Sequence, residues 1–134
     1  MAIELDDAAF PLLIVRFGPD WTPQDFSAYL LWYLQRLQRH QQLAVVFDAT
    51  RARAPSALER RQQADFLREH EGLLRLYCAG AAFVISSAVI RGALTAIFWV
   101  QPPVYEHTVV PTVVEATAWA RQRLASNLQR QMIR

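Results

Sequence analysis

Short runs of continuous apolar residues alternate along this chain with segments that open in helix-capping patterns. That alternation constrains the fold more than any other feature. Leu12-Leu13-Ile14-Val15-Arg16-Phe17 is branched and apolar and ends at Gly18-Pro19. Leu43-Ala44-Val45-Val46-Phe47 is closed by Asp48, and Ala81-Ala82-Phe83-Val84-Ile85 by Ser86-Ser87. Residues 105–110 read as a weaker fourth strand. Runs that are continuous rather than alternating suit strands covered on both faces, as in a mostly parallel sheet. Ile3 to Leu5 predicts an antiparallel edge strand, hairpinned through Asp6-Asp7-Ala8-Ala9.

Three capping boxes mark helix starts. Thr22-Pro23-Gln24-Asp25, Ser56-Ala57-Leu58-Glu59 and Thr112-Val113-Val114-Glu115 each place a hydroxyl three residues before a carboxylate. The hydroxyl accepts from an orphan backbone N–H, and the carboxylate reaches back to the cap. Helices are predicted over residues 23–40, 57–74, 88–100 and 113–128. Strand and helix in alternation predict an α/β fold with right-handed crossovers: a four- to five-stranded, mostly parallel sheet, an N-terminal edge strand and about four helices.

Composition fits one domain over residues 1–128 with a frayed tail at 129–134: hydrophobic residues are 53% of the chain and charged residues 19%. A chain this long buries roughly two-thirds of its unfolded surface and needs no metal or disulfide staple. All 14 basic residues are arginine, set against 12 acidic ones. The small excess gives no dense basic stripe, so no nucleic-acid partner is expected. The single Cys78 excludes an internal disulfide and fits a reducing cytoplasm. The first residues lack a basic region and an apolar core, so no signal peptide is expected there. Between Leu76 and Tyr105 the only charge is Arg91. Ser86-Ser87, Arg91-Gly92 and Pro102-Pro103 interrupt that stretch, so it reads as a buried strand and a buried helix, not an integral membrane segment.

The predicted helices differ in character. Phe26, Leu30, Tyr33, Leu34 and Leu37 form an ordinary core stripe, with Trp32 nearly opposite. Trp32 is either a lone aromatic, exposed or covered by the N-terminal strand, or part of a partner surface. The helix at 88–100 is apolar nearly all round, which calls for cover on more than one side. A homodimer interface using Trp32, Ile90, Leu94 and Trp99 is therefore expected.

No catalytic signature emerges. His40, His70 and His107 are scattered and no paired-ligand spacing is present, so no metal is expected. Ser86 and Ser87 end a strand without a nucleophile elbow, and helix capping accounts for one of them. Cys78 reads as a small buried hydrophobe. The four glycines form no phosphate cradle, and no cofactor is expected. One constellation remains. If the second and third apolar runs are parallel neighbours, Asp48, Arg51, Ser86, Ser87 and Arg91 gather at one carboxyl edge, where open α/β sheets place ligands. Either they hold an anion, or Arg91 pairs with Asp48 or a backbone carbonyl and pins the edge.

The run Ala44 to Asp48, the arginine-rich linker, the helix opening at Ser56 and the run Gly80 to Ser87 resemble SpoIIAA-like proteins of the STAS superfamily. The stretch Val89 to Pro103, followed by Glu115-Ala116-Thr117-Ala118-Trp119, resembles a functionally obscure bacterial branch. The resemblance spans about residues 10 to 128 and implies helices mainly on one side of the sheet. It also implies a non-enzymatic role in protein–protein switching, often controlled by phosphorylation of a serine at the start of the second helix. The signature Asp-Ser-Ser-Gly is missing; Ala54-Pro55-Ser56-Ala57 stands in that region. Ser56 is the nearest counterpart, and its capping box accounts for it without a kinase. Some relatives resemble lipid-carrying domains, which would make the 88–100 helix a pocket wall. The expectation is a cytoplasmic interaction module with a protein partner, and the alternative is a carrier of a small apolar ligand.

Overall fold

The computed structural model describes residues 2–133. The elements are β1 (Ile3–Asp6), β2 (Leu12–Phe17), α1 (Pro23–Leu37), β3 (Leu43–Asp48), α2 (Ala57–Glu69), α3 (Glu71–Tyr77), β4 (Cys78–Val84), α4 (Ala88–Val100), β5 (His107–Val110) and α5 (Val113–Ile133). Five strands make one sheet in the order β1-β2-β3-β4-β5. The β1–β2 pair is antiparallel and the other three pairs are parallel.

Each parallel step advances the sheet in the same direction. Right-handed crossovers then carry every connecting helix over one face. On that face Tyr29, Tyr33 and Leu37 of α1, Phe66 and Leu67 of α2, Leu74 of α3 and Ile97 of α4 meet Leu13, Val15, Val45 and Phe47 in one core. On the opposite face Ala116, Ala120 and Leu124 of α5 close on Leu12, Ala44, Val46, Ala82 and Val84. Both faces are covered, which is why β3 is buried from Leu43 to Phe47 and its sequence does not alternate.

The capping boxes of α1 and α2 are complete: Thr22 with Asp25, and Ser56 with Glu59, exchange both bonds. At α5 the Thr112 hydroxyl accepts from the Glu115 backbone N–H (3.2 Å) and donates to its carboxylate.

Three predicted boundaries are corrected. α1 stops at Leu37 rather than residue 40, because His40 turns into the left-handed region (φ 56°) and stacks on Tyr77. The predicted 57–74 helix is two helices, broken at His70 (φ −113°, ψ 25°). α5 continues past residue 128 to Ile133, so residues 129–133 are helical; Arg134 lies outside the described residues.

As the last crossover, α4 ends the helix layer. It packs beside α2, and among the described residues it makes no comparable contact with another helix. It therefore stands over the sheet with one flank and its outer surface bare.

Candidate functional site

The carboxyl edge forms as expected in its backbone. β3 and β4 are parallel neighbours with Asp48 opposite Val84, so the two loops emerge together. The side chains do not converge. Asp48 turns back on its own loop, accepting from the Thr50 backbone N–H (3.1 Å) and hydroxyl (2.7 Å). Ser86, Ser87, Arg51 and Arg91 are exposed. Ser87 sits at the N-cap of α4 without a side-chain bond. Among the described residues no hydrogen bond joins any two of these five side chains, and Arg91 forms no ion pair with Asp48. Ser56 is exposed, but its hydroxyl is engaged with the Glu59 N–H at 3.1 Å.

Beneath α4 lies a cavity with a free volume of about 100 Å³. Its floor is aromatic: Phe17, Phe47 and Phe83 come from three adjacent strands, with Phe47 and Phe83 stacked at 5.0 Å. Its roof is the inner side of α4: Ile90, Ala93, Leu94, Ile97 and Phe98. Ile90 and Leu94, expected in a dimer interface, line this cavity. Trp21, Phe26, Tyr29, Gln63 and Tyr105 complete the walls.

One charged pair closes an end of the cavity. Glu59 is 2% exposed, and Arg53 grips its carboxylate with two nitrogens at 3.0 and 3.2 Å. The Trp21 indole N–H (2.7 Å) and the Ser56 backbone N–H (2.9 Å) donate to the same carboxylate. Arg53 stacks over the Trp21 ring at 4.0 Å and donates to the Trp21 carbonyl at 2.9 Å. Burial alone would raise the Glu59 pKa; the bonds from Arg53, Ser56 and Trp21 outweigh it and hold the group below the ordinary carboxylate value. The pair is a structural clamp joining α2 to the loop before α1.

The cavity's phenols are held neutral. Burial pushes Tyr29 up, against a hydrogen bond from its hydroxyl to Gln63 Oε1 at 3.0 Å. Burial, with nearby Cys78 and Tyr29, pushes Tyr105 well above the ordinary phenol range. Deeper in the core, burial raises the Cys78 thiol to about 11 and the Tyr33 hydroxyl donates to its sulfur at 3.4 Å, so Cys78 is no activated nucleophile.

The outer surface of α4 is apolar and bare. Val89 is 67% exposed, Val100 73% and Trp99 85%. Ala88, Gly92 and Ala96 lie among them, with Arg91 and Thr95 the polar exceptions. Trp32 does not join this surface. It is half-buried against the core, with the Arg36 guanidinium 4.6 Å above its ring. Arg36 in turn holds Asp7, just after β1, at 2.9 Å.

Sequence reasoning missed the cavity's polar residues. Gln63 and Tyr105 carry no motif; Glu59 drew attention only through the Ser56–Glu59 capping box, and Arg53 only as one of the arginines near the carboxyl edge, not as its partner. Among the described residues no three His, Cys, Asp or Glu side chains gather as a metal site, and no helix is long and apolar enough to cross a membrane.

Among solved structures, the chain is similar to one described as an uncharacterized protein from the DUF3478 family with a SpoIIAA-like fold, from Shewanella loihica PV-4. The two are 14% identical, the match covers 89% of this chain and 92% of that one, and the TM-score is 0.63. No family model matches the chain, and no curated protein matches it. At that identity the likeness speaks to architecture: this chain has a SpoIIAA-like fold, as its order of elements had implied.

Proposed function

We propose that this protein is a non-enzymatic binding module that holds a small apolar ligand beneath α4. The observation that carries this reading is the cavity itself, lined by stacked aromatic rings below and aliphatic side chains above. Protein interiors are close-packed, and a concavity lined by apolar side chains with a few polar groups has the make-up of a small-molecule site; at about 100 Å³ it is smaller than the usual pocket and suits a ligand of about one ring. The polar groups at its wall are tied into a clamp or held neutral, which suits binding better than acid–base or nucleophilic chemistry. Native mass spectrometry of freshly purified protein tests it. The expected result is a polypeptide mass carrying a small adduct that is lost on denaturation. A bare mass, together with no shift in melting temperature on adding small aromatic hydrocarbons, would reject it.

A second reading, a protein–protein interaction or regulatory module acting as a cytoplasmic homodimer, is favoured by a separate observation. Trp99, Val100 and Val89 are exposed together on the outer surface of α4, where a lone monomer gains nothing from them. The SpoIIAA-like fold is compatible with such a role. Sedimentation at micromolar concentration is expected to give a dimer that Trp99→Glu dissociates. A monomer near 15.3 kDa would reject this reading and leave the ligand reading standing.

A further inference from the structure

The cavity's polarity narrows what it can hold. Its wall carries one cation and one anion, Arg53 and Glu59, and each is spent on the other. Glu59 already receives four N–H donors, from Arg53 twice, Trp21 and Ser56. Arg53 donates also to the carbonyls of Trp21 and Ala54 and lies flat on the Trp21 ring. No unpaired charge is left to meet a ligand, so a carboxylate or ammonium entering here would lose its water and gain no counter-ion.

Two neutral groups are not spent. Gln63 uses its carbonyl oxygen on the Tyr29 hydroxyl, and its amide NH₂ has no partner among the described residues. The hydroxyl of half-buried Tyr105 likewise has no hydrogen-bond partner among the described residues. Both residues line the cavity. Neither atom is a buried orphan, so both reach water at this half-closed site, and each is free to exchange that water for an acceptor on a ligand.

Resting on the ligand reading above, we infer that the cavity selects an uncharged ligand: an apolar body of about one aromatic ring carrying a hydroxyl, ether or carbonyl oxygen. The ring sits over Phe47 and Phe83, and the oxygen accepts from Gln63 or from Tyr105.

Three probes of similar size test this on the whole wild-type chain: toluene, benzyl alcohol and benzoate at neutral pH, with the amide shifts of α4 followed in NMR titrations. Benzyl alcohol is expected to bind about fivefold more tightly than toluene, the net value of one hydrogen bond that replaces a bond to water. Benzoate is expected to bind more weakly than toluene. Tyr105→Phe or Gln63→Glu, which keeps the acceptor for the Tyr29 hydroxyl but removes the amide donor, should bring benzyl alcohol down to the toluene level while toluene binding persists, which also reports that the variant is folded. Benzoate binding as tightly as benzyl alcohol would overturn the inference, as would equal binding of toluene and benzyl alcohol; in both cases the ligand reading stands. If none of the three binds, toluene included, the ligand reading fails and the inference with it.

Discussion

Replacing Ala93 by leucine distinguishes free space beneath α4 from ordinary packing. Ala93 lies on the inner side of α4 and lines the cavity. The substitution adds three carbons, pointed at a volume of about 100 Å³. Burying them is worth about 0.8 kcal/mol each, or about 2.4 kcal/mol together. Ordering a leucine side chain costs about 0.5–1 kcal/mol of that. Since the site is only half-closed, the net stabilisation should be about 1 kcal/mol. In a filled interior the same change forces neighbours off their rotamers and costs about 1–3 kcal/mol. The two cases therefore differ in sign. With a urea slope of about 2 kcal/mol/M, the unfolding midpoint should rise by about 0.5 M at unchanged slope. Toluene should lose its site in the same variant. A midpoint lowered by about 0.5 M or more would refute the argument, because it would mean that the roof already touches the floor.

Glu59→Ala strips four donors of their acceptor and leaves Arg53 unpaired, and should cost about 3 kcal/mol in urea unfolding; Glu59→Gln, which keeps an acceptor, should cost less. The folded Glu59 pKa lies below the ordinary carboxyl value of 4.5, so its stabilisation is whole above that pH and is lost as pH falls through the lower folded value. Stability measured from pH 6 to pH 3 should thus fall more steeply in the wild type than in Glu59→Ala. On the other face, a Cβ at Gly80 would lie 2.8 Å from Trp119 Cη2 and 3.1 Å from Arg123 Cγ. Gly80→Ala should push α5 off β4 and cost about 1–3 kcal/mol, read as a lower melting temperature; a neutral result would contradict the packing described for that face.

The sheet was legible because its strands are covered twice. A run such as Leu43 to Phe47 leaves little choice once both faces need apolar side chains. The start of β4 was not legible. Cys78-Ala79-Gly80 is small and weak in strand propensity, and it is small because α5 packs close upon it; that reason lies about forty residues away in the chain. The break at His70 was hidden because no Pro or capping box marks it: the second helix opens at Glu71 with no side-chain cap bond. Of the carboxyl edge, the backbone was readable and the side chains were not, since Asp48 prefers its own turn with Thr50 to any partner across the loop. The apolar character of α4 was plain, and cover on more than one side was the natural reading. Its place at the end of the layer, with a cavity on one side and a bare surface on the other, depends on strand order and could not be read from the helix alone. The cavity's clamp brings together Trp21, Arg53 and Glu59 from three segments, and no spacing rule joins them.

The most direct measurement is a set of intermolecular NOEs between toluene and the methyl groups of the protein. Contacts are expected to Ile90, Leu94 and Ile97, on the inner side of α4, and none to Val89 or Val100 on the outer side. NOEs confined to Val89 and Val100, or absent altogether at millimolar toluene, would contradict a site beneath α4.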